Sequence, residues 1–195
     1  MVKKKLVGAS VLPMIAAIAW TGYAGGAEMK PRMVNSEGLT LVGMVFYGDP
    51  FNGGEGWSAE NEIGRLWTRF VAKEELIKNR IGEAGYEVHI EPEEYKDTKN
   101  FYVFVGVEVE EADEVPHEMF VKVLPPTTYA VFTFKGEEIR SNWPESIYKE
   151  WLAASPYEEA HKYLVEYYDP RRFKGMDNPE SELDVYVPVK QKGET

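Results

Sequence analysis

A chain of 195 residues with 44% hydrophobic and 13% aromatic side chains can bury a sizeable core, and 28% charged residues mark it as globular rather than disordered. A formal net charge of −11 disfavours a phosphate backbone as direct partner, so no nucleic-acid partner is expected and a neutral or cationic ligand is favoured. The absence of cysteine excludes disulfides, thiolate nucleophiles, cysteine-ligated metals and a lipidated N-terminal cysteine.

The N-terminal stretch MVKKKLVGASVLPMIAAIAWTGYAGGAEMK has the layout of a secretory signal. Lys3, Lys4 and Lys5 form a basic start, Leu6 to Trp20 is apolar, and the small residues Ala24, Gly25, Gly26 and Ala27 offer a cleavage point. The run is short for a spanning helix, which needs roughly 20 apolar residues, and Pro13 interrupts it. Residues 1–27 are therefore expected to export the chain, or to attach it to a membrane if uncleaved. Translation starting at Met29 would instead leave a cytoplasmic protein. Residues 28–195 read as one domain.

From Leu39 to Tyr47, LTLVGMVFY is a β-branched and aromatic run that predicts a strand. The loop GDPFNGGEG follows, and then Ile63, Leu66, Trp67, Phe70 and Val71 repeat at the spacing of one helical face. Ser58 is the expected N-cap, and the helix is expected to end before Gly82. YEVHIEP and NFYVFVGVEVE read as strands, the second with clear alternation. EEADEVP is an acidic loop. The second half runs as strand HEMFVKVL, a Pro125–Pro126 break, strand TYAVFTFKG and helix WPESIYKEWLAAS with Pro144 in its first turn. The strands KYLVEYY and LDVYVPVK then flank the loop DPRRFKGMDNPESE.

The halves, residues 31–110 and 117–190, can be laid over one another. MVFYG matches VFTFKG, setting Gly48 against Gly136; IGRLWTRF matches IYKEWLAA, setting Trp67 against Trp151; FYVFV matches VYVPV, setting Tyr102 against Tyr186. Two copies of a strand–helix–strand–strand unit explain this order, and a duplicated unit places a cleft near its pseudo-two-fold axis.

YAVFTFKG, IYKEWLAASPY, VEYYDPRRF and DVYVPVK together resemble the GyrI-like effector-binding domain, and LVGMVFYG followed by LWTRF is similar to its opening unit. The resemblance spans about Pro31 to Lys190. This family includes small-molecule-binding domains of AraC-type and MerR-type regulators and the gyrase-inhibitory protein. The resemblance implies an α+β fold: a duplicated β-α-β-β unit with pseudo-two-fold symmetry, curved antiparallel sheets, helices packed outside and a central ligand cleft. It also implies that Glu166, with Tyr168, is the acid that faces lipophilic cations in an aromatic pocket. No DNA-binding helix-turn-helix precedes the domain in this sequence.

Glu166 lies in a strand whose two faces are both partly apolar, as a pocket acid would. A buried carboxylate beside aromatic walls suits a hydrophobic cation, through charge pairing and cation–π attraction. Tyr102 and Tyr186 are candidates for a symmetric pair of walls, and Tyr47 and Phe104 are further candidates. Trp67 and Trp151 fit either the pocket or helix-to-sheet packing. Trp57, in the glycine-rich loop, fits a lid or a helix anchor. His89, His117 and His161 lack metal-ligand spacing, so neither a metal nor another cofactor is expected. The expected function is a stand-alone protein that sequesters or senses small hydrophobic, cationic molecules. The alternatives are a hydrolase of reactive hydrophobic compounds, with Glu166 as base and Tyr168 as donor, and an inhibitor that binds a protein partner as the gyrase-inhibitory relatives do.

Overall fold

The computed structural model describes residues 30–51 and 61–193. Ser58, Trp57 and the signal-like segment lie outside them. β1 (Arg32–Ser36) and β2 (Leu39–Gly48) lead to α1 (Glu62–Val71), then β3 (Gly85–Ile90), the short α2 (Tyr95–Thr98) and β4 (Phe101–Glu108). The second half has β5 (Phe120–Leu124), β6 (Thr127–Lys135), α3 (Trp143–Glu145) continuing into a π-helical stretch Ser146–Leu152, then β7 (Tyr157–Glu159), β8 (Tyr163–Tyr168) and β9 (Glu182–Gln191).

α1 is capped by Asn61, whose side chain accepts from the Gly64 N–H at 2.9 Å. Ile63, Leu66, Trp67 and Phe70 form its buried face. The helix ends well before Gly82, because the apolar spacing stops at Val71 and Leu76 is left 60% exposed in a short 3₁₀ turn. The second helix begins with Pro144 in its first turn, as expected, and buries Trp143 and Ile147. Its π-helical turns were not legible in the apolar stripe, since that stripe fits a regular helix equally well.

The strands form one antiparallel sheet in the order β1-β6-β9-β8-β3-β4-β2-β5, with β7 added beside β9. The β3–β8 pair is the centre, and each repeat extends outward from it. The first strand of each half crosses to the other half. β1 pairs with β6, setting Arg32 opposite Val131, and β5 pairs with β2, setting Phe120 opposite Gly43. The mixed α+β fold with its duplicated β-α-β-β unit is therefore present. The ladders do adjust one detail of the match between halves. With Gly48 set on Gly136, the pair Gly43–Gly106 corresponds to Val131–Tyr186, so the counterpart of Tyr186 is Gly106 rather than Tyr102.

Alternation along each strand divides the core in two. On the helix side, Trp67, Phe70, Val103, Val105, Leu164, Tyr168 and Val185 share one cluster. On the other side, Tyr86, Val88, Phe104, Tyr129, Tyr163 and Val165 share another.

Candidate functional site

At the centre of the sheet Glu87 of β3 lies directly opposite Glu166 of β8, and both are fully buried. Alternation turns Glu87 and His89 to the helix side while Tyr86 and Val88 turn away. Trp67 Nε1–H on α1 donates to Glu87 Oε2 at 2.5 Å, and His89 Nε2 shares a 2.5 Å hydrogen bond with Glu87 Oε1. The Tyr168 hydroxyl donates to Glu166 Oε2 at 2.5 Å. The Trp67 and Tyr168 rings meet edge to face at 5.2 Å, closing this end of the cluster. Among the described residues, Glu166 Oε1 and His89 Nδ1 are buried without a hydrogen-bond partner.

Burial pushes the Glu166 carboxyl up to about 8, and the neighbouring Glu87 adds to this, while His89 and the Tyr168 hydroxyl act in the opposite direction. Burial disfavours a charged His89, but the hydrogen bond and charge of Glu87, with the charge of Glu166, outweigh it and raise the imidazole above its ordinary value. Burial and Glu166 hold the Tyr168 hydroxyl far above the ordinary range. Both shifts favour the protonated forms, a neutral Glu166 acid and a cationic His89 imidazole beside Glu87. Glu87, His89 and Glu166 each offer one ligand atom within 4.8 Å of the others, a set able to hold a metal ion as well as protons.

His89 also lines a cavity of about 210 Å³ on the helix side. Its aromatic walls include Phe51, Tyr95, Phe101, Tyr163 and Tyr148, the last from the π-helical stretch. Glu91, Glu159 and Lys162 add charged groups, with Lys162 paired to Glu159. Burial, followed by the Glu159 charge, raises the Glu91 carboxyl.

The sequence candidates divide between the two faces. Glu166, Tyr168 and Trp67 come together in the buried cluster. Trp151 is packed against Phe132 at 5.1 Å and Tyr157 at 6.2 Å, and the described lining of the helix-side cavity does not include it. Phe104 and Tyr186 belong to the opposite face. Tyr47 and Tyr102 pair at 4.5 Å as exposed rings, 42% and 38% accessible. Sequence reasoning missed Glu87, His89 and Glu91. Their signal was the alternation in EVHIE, which puts all three on one face.

The family model described as "Cass2: Integron-associated effector binding protein" matches residues 32–189. The transcriptional regulator BrlR of Pseudomonas aeruginosa is 31% identical over 165 residues, which cover 83% of this chain and 56% of BrlR. The chain thus spans just over half the length of that curated relative. SAV2435, solved bound to tetraphenylphosphonium, aligns with a TM-score of 0.59 at 17% identity, over 83% of this chain and 94% of its own. EcmrR in its DNA complex aligns with a TM-score of 0.58 at 14% identity, over 83% of this chain and 57% of its own.

Two expectations are corrected by these relatives. The absence of a nucleic-acid partner does not stand, because BrlR is a transcriptional regulator and EcmrR was solved on DNA. The charge argument addressed direct contact between phosphates and this acidic domain, and the domain makes up only about half of those proteins. The expectation of export or membrane association does not stand either, since the same relative, BrlR, is a transcriptional regulator. No helix among the described residues is long and apolar enough to cross a membrane.

Proposed function

The chain belongs to the GyrI-like effector-binding proteins, within the integron-associated family, and we propose that it senses hydrophobic organic cations for a DNA-acting regulatory system. The domain binds ligand or effector through a cleft of buried aromatic and acidic residues. The finer reading rests above all on Glu166, a fully buried acid with one unpartnered oxygen beside Glu87 and His89. A cation in the aromatic cavity replaces the positive charge that His89 and the Glu166 proton supply in the unliganded cluster. The tetraphenylphosphonium bound to SAV2435 supports this choice of ligand class.

The cavity of about 210 Å³ is smaller than the roughly 300–1,000 Å³ of pockets for drug-sized molecules. Entry of a triaryl or tetraaryl cation therefore needs the wall to move. The π-helical stretch carrying Tyr148 is the wall element whose hydrogen bonding departs from a regular helix.

Calorimetric titration with tetraphenylphosphonium, with neutral triphenylphosphine oxide as control, tests the reading. The cation should bind and the neutral analogue should bind at least tenfold more weakly. Glu166→Gln should abolish most of that preference. Equal binding of both molecules, or a variant that keeps the preference, would reject Glu166 as the counter-charge.

A further inference from the structure

The sheet carries a second cavity, of about 240 Å³, on the face away from the helices. Its walls are an aromatic ladder with one tyrosine on each of four adjacent strands: Tyr86 on β3, Tyr167 on β8, Tyr186 on β9 and Tyr129 on β6. Successive rings meet edge to face at 5.2, 5.9 and 5.7 Å. Val34, Leu39 and Val165 add apolar lining, and Asn35 and Ser36 of β1 supply a polar rim.

Charge separates this trough from the cavity at His89. None of its described lining side chains carries a formal charge at neutral pH, and burial pushes the Tyr86, Tyr129 and Tyr167 hydroxyls upward. Three hydroxyls are also engaged, Tyr86 donating to Glu108 at 2.8 Å, Tyr129 sharing a 3.0 Å bond with Tyr163 and Tyr186 accepting from Arg32 at 3.4 Å. Arg32 sits 5.7 Å over the Tyr186 ring and is held by Asp184 at 2.9 Å. What remains for a ligand is ring surface with a neutral hydrogen-bonding edge.

We infer that this tyrosine trough is a second binding site, specific for neutral, planar aromatic molecules of about two fused rings with a polar group at one edge. The ring system stacks on or inserts among the tyrosines, and the polar edge meets Asn35 and Ser36. A charged ligand would lose its hydration without gaining a counter-charge, so the trough rejects the cations that the other face is proposed to take. This site does not depend on the cation reading, since no described residue is shared between the two linings.

The test is titration of methyl-labelled protein with 2-naphthol, followed by NMR. Saturable ring-current shifts should appear at the methyls of Val34, Leu39 and Val165, with a Kd on the order of 100 µM for so small a ligand. Leu164, on the opposite face, should not shift. The trimethylammonium analogue of the same ring should bind at least tenfold more weakly. Tyr167→Ala should weaken 2-naphthol binding at least fivefold, and Val34→Trp, which fills the trough from an edge strand, should do the same. Glu166→Gln should leave it unchanged. Shifts confined to Leu164, shifts that do not saturate, or a Kd within twofold of wild type in either trough variant would overturn the assignment.

Discussion

Glu87 and Glu166 face each other directly across the β3–β8 ladder, and neither side chain is exposed at all. Two carboxyl groups so placed cannot both be ionised cheaply, which is why the Glu166 carboxyl is pushed up to about 8 by burial and by Glu87. A folded value above the unfolded one means stability that is present at low pH and lost as pH rises. The loss begins near the ordinary carboxylate value and is complete above about 8. His89, also raised, acts in the same direction above its ordinary value of 6.5. Urea midpoints should therefore fall between pH 5 and 9, by a stability loss on the order of 3 kcal/mol. Glu166→Gln should flatten that slope, and an unchanged slope would place the titrating group elsewhere.

The same protons should oppose ligand binding. If a cation takes over the positive charge held by His89 and the Glu166 proton, binding releases protons, and affinity for tetraphenylphosphonium should rise from pH 6 to pH 9. His89→Gln removes the competing charge while keeping a polar side chain. It should tighten cation binding about tenfold at pH 7, near 1.4 kcal/mol. Weaker binding in that variant would make His89 a contact for the ligand rather than its competitor.

On β9, beside β8 and opposite Tyr167, Asp184 is 1% exposed and accepts from Arg172, Thr133 and Arg32. Burial would raise its carboxyl, but the Arg172 and Thr133 hydrogen bonds and the two arginine charges bring it below the ordinary value of 3.8. A depressed folded value gives stability that is present above pH 4 and lost as pH falls further. Arg172→Met leaves that buried carboxylate with fewer partners and should cost about 2 kcal/mol at pH 7, discounted because Arg172 is 36% exposed. The deficit should shrink below pH 3. A deficit that persists in acid would point to lost packing instead.

Much of this architecture was legible in one sequence, because duplication leaves its marks twice. Glu166 and Tyr168 stood out in VEYY, and Trp67 in the helical stripe. Glu87 and His89 did not, because EVHIE read alone is a strand with ordinary surface charges. Their role emerges only when β3 and β8 are paired, and pairing distant strands is not written in local alternation. The same limit explains Tyr47, Tyr102, Phe104 and Tyr186. Period two separates a strand's faces but does not say which face meets the helices. β1 and β7 were missed because each is short and takes its partner from far along the chain.

Gly85 gives the last prediction, because it permits the Trp67–Glu87 bond. A Cβ at this position would stand 2.8 Å from Trp67 Cη2 and 3.2 Å from Cζ3. The indole cannot retreat freely, since its other neighbours are Phe70 at 6.0 Å and Tyr168 at 5.2 Å. Gly85→Ala should therefore displace the ring, stretch its hydrogen bond to a fully buried carboxyl and cost about 1–3 kcal/mol. Trp67→Phe relieves the steric demand but leaves Glu87 Oε2 without its donor, at a similar cost. In the double variant the clash is absent, so the two costs should fall short of adding. Denaturant unfolding of the four proteins reads this directly. Additive losses would mean that Gly85 is required by something other than Trp67.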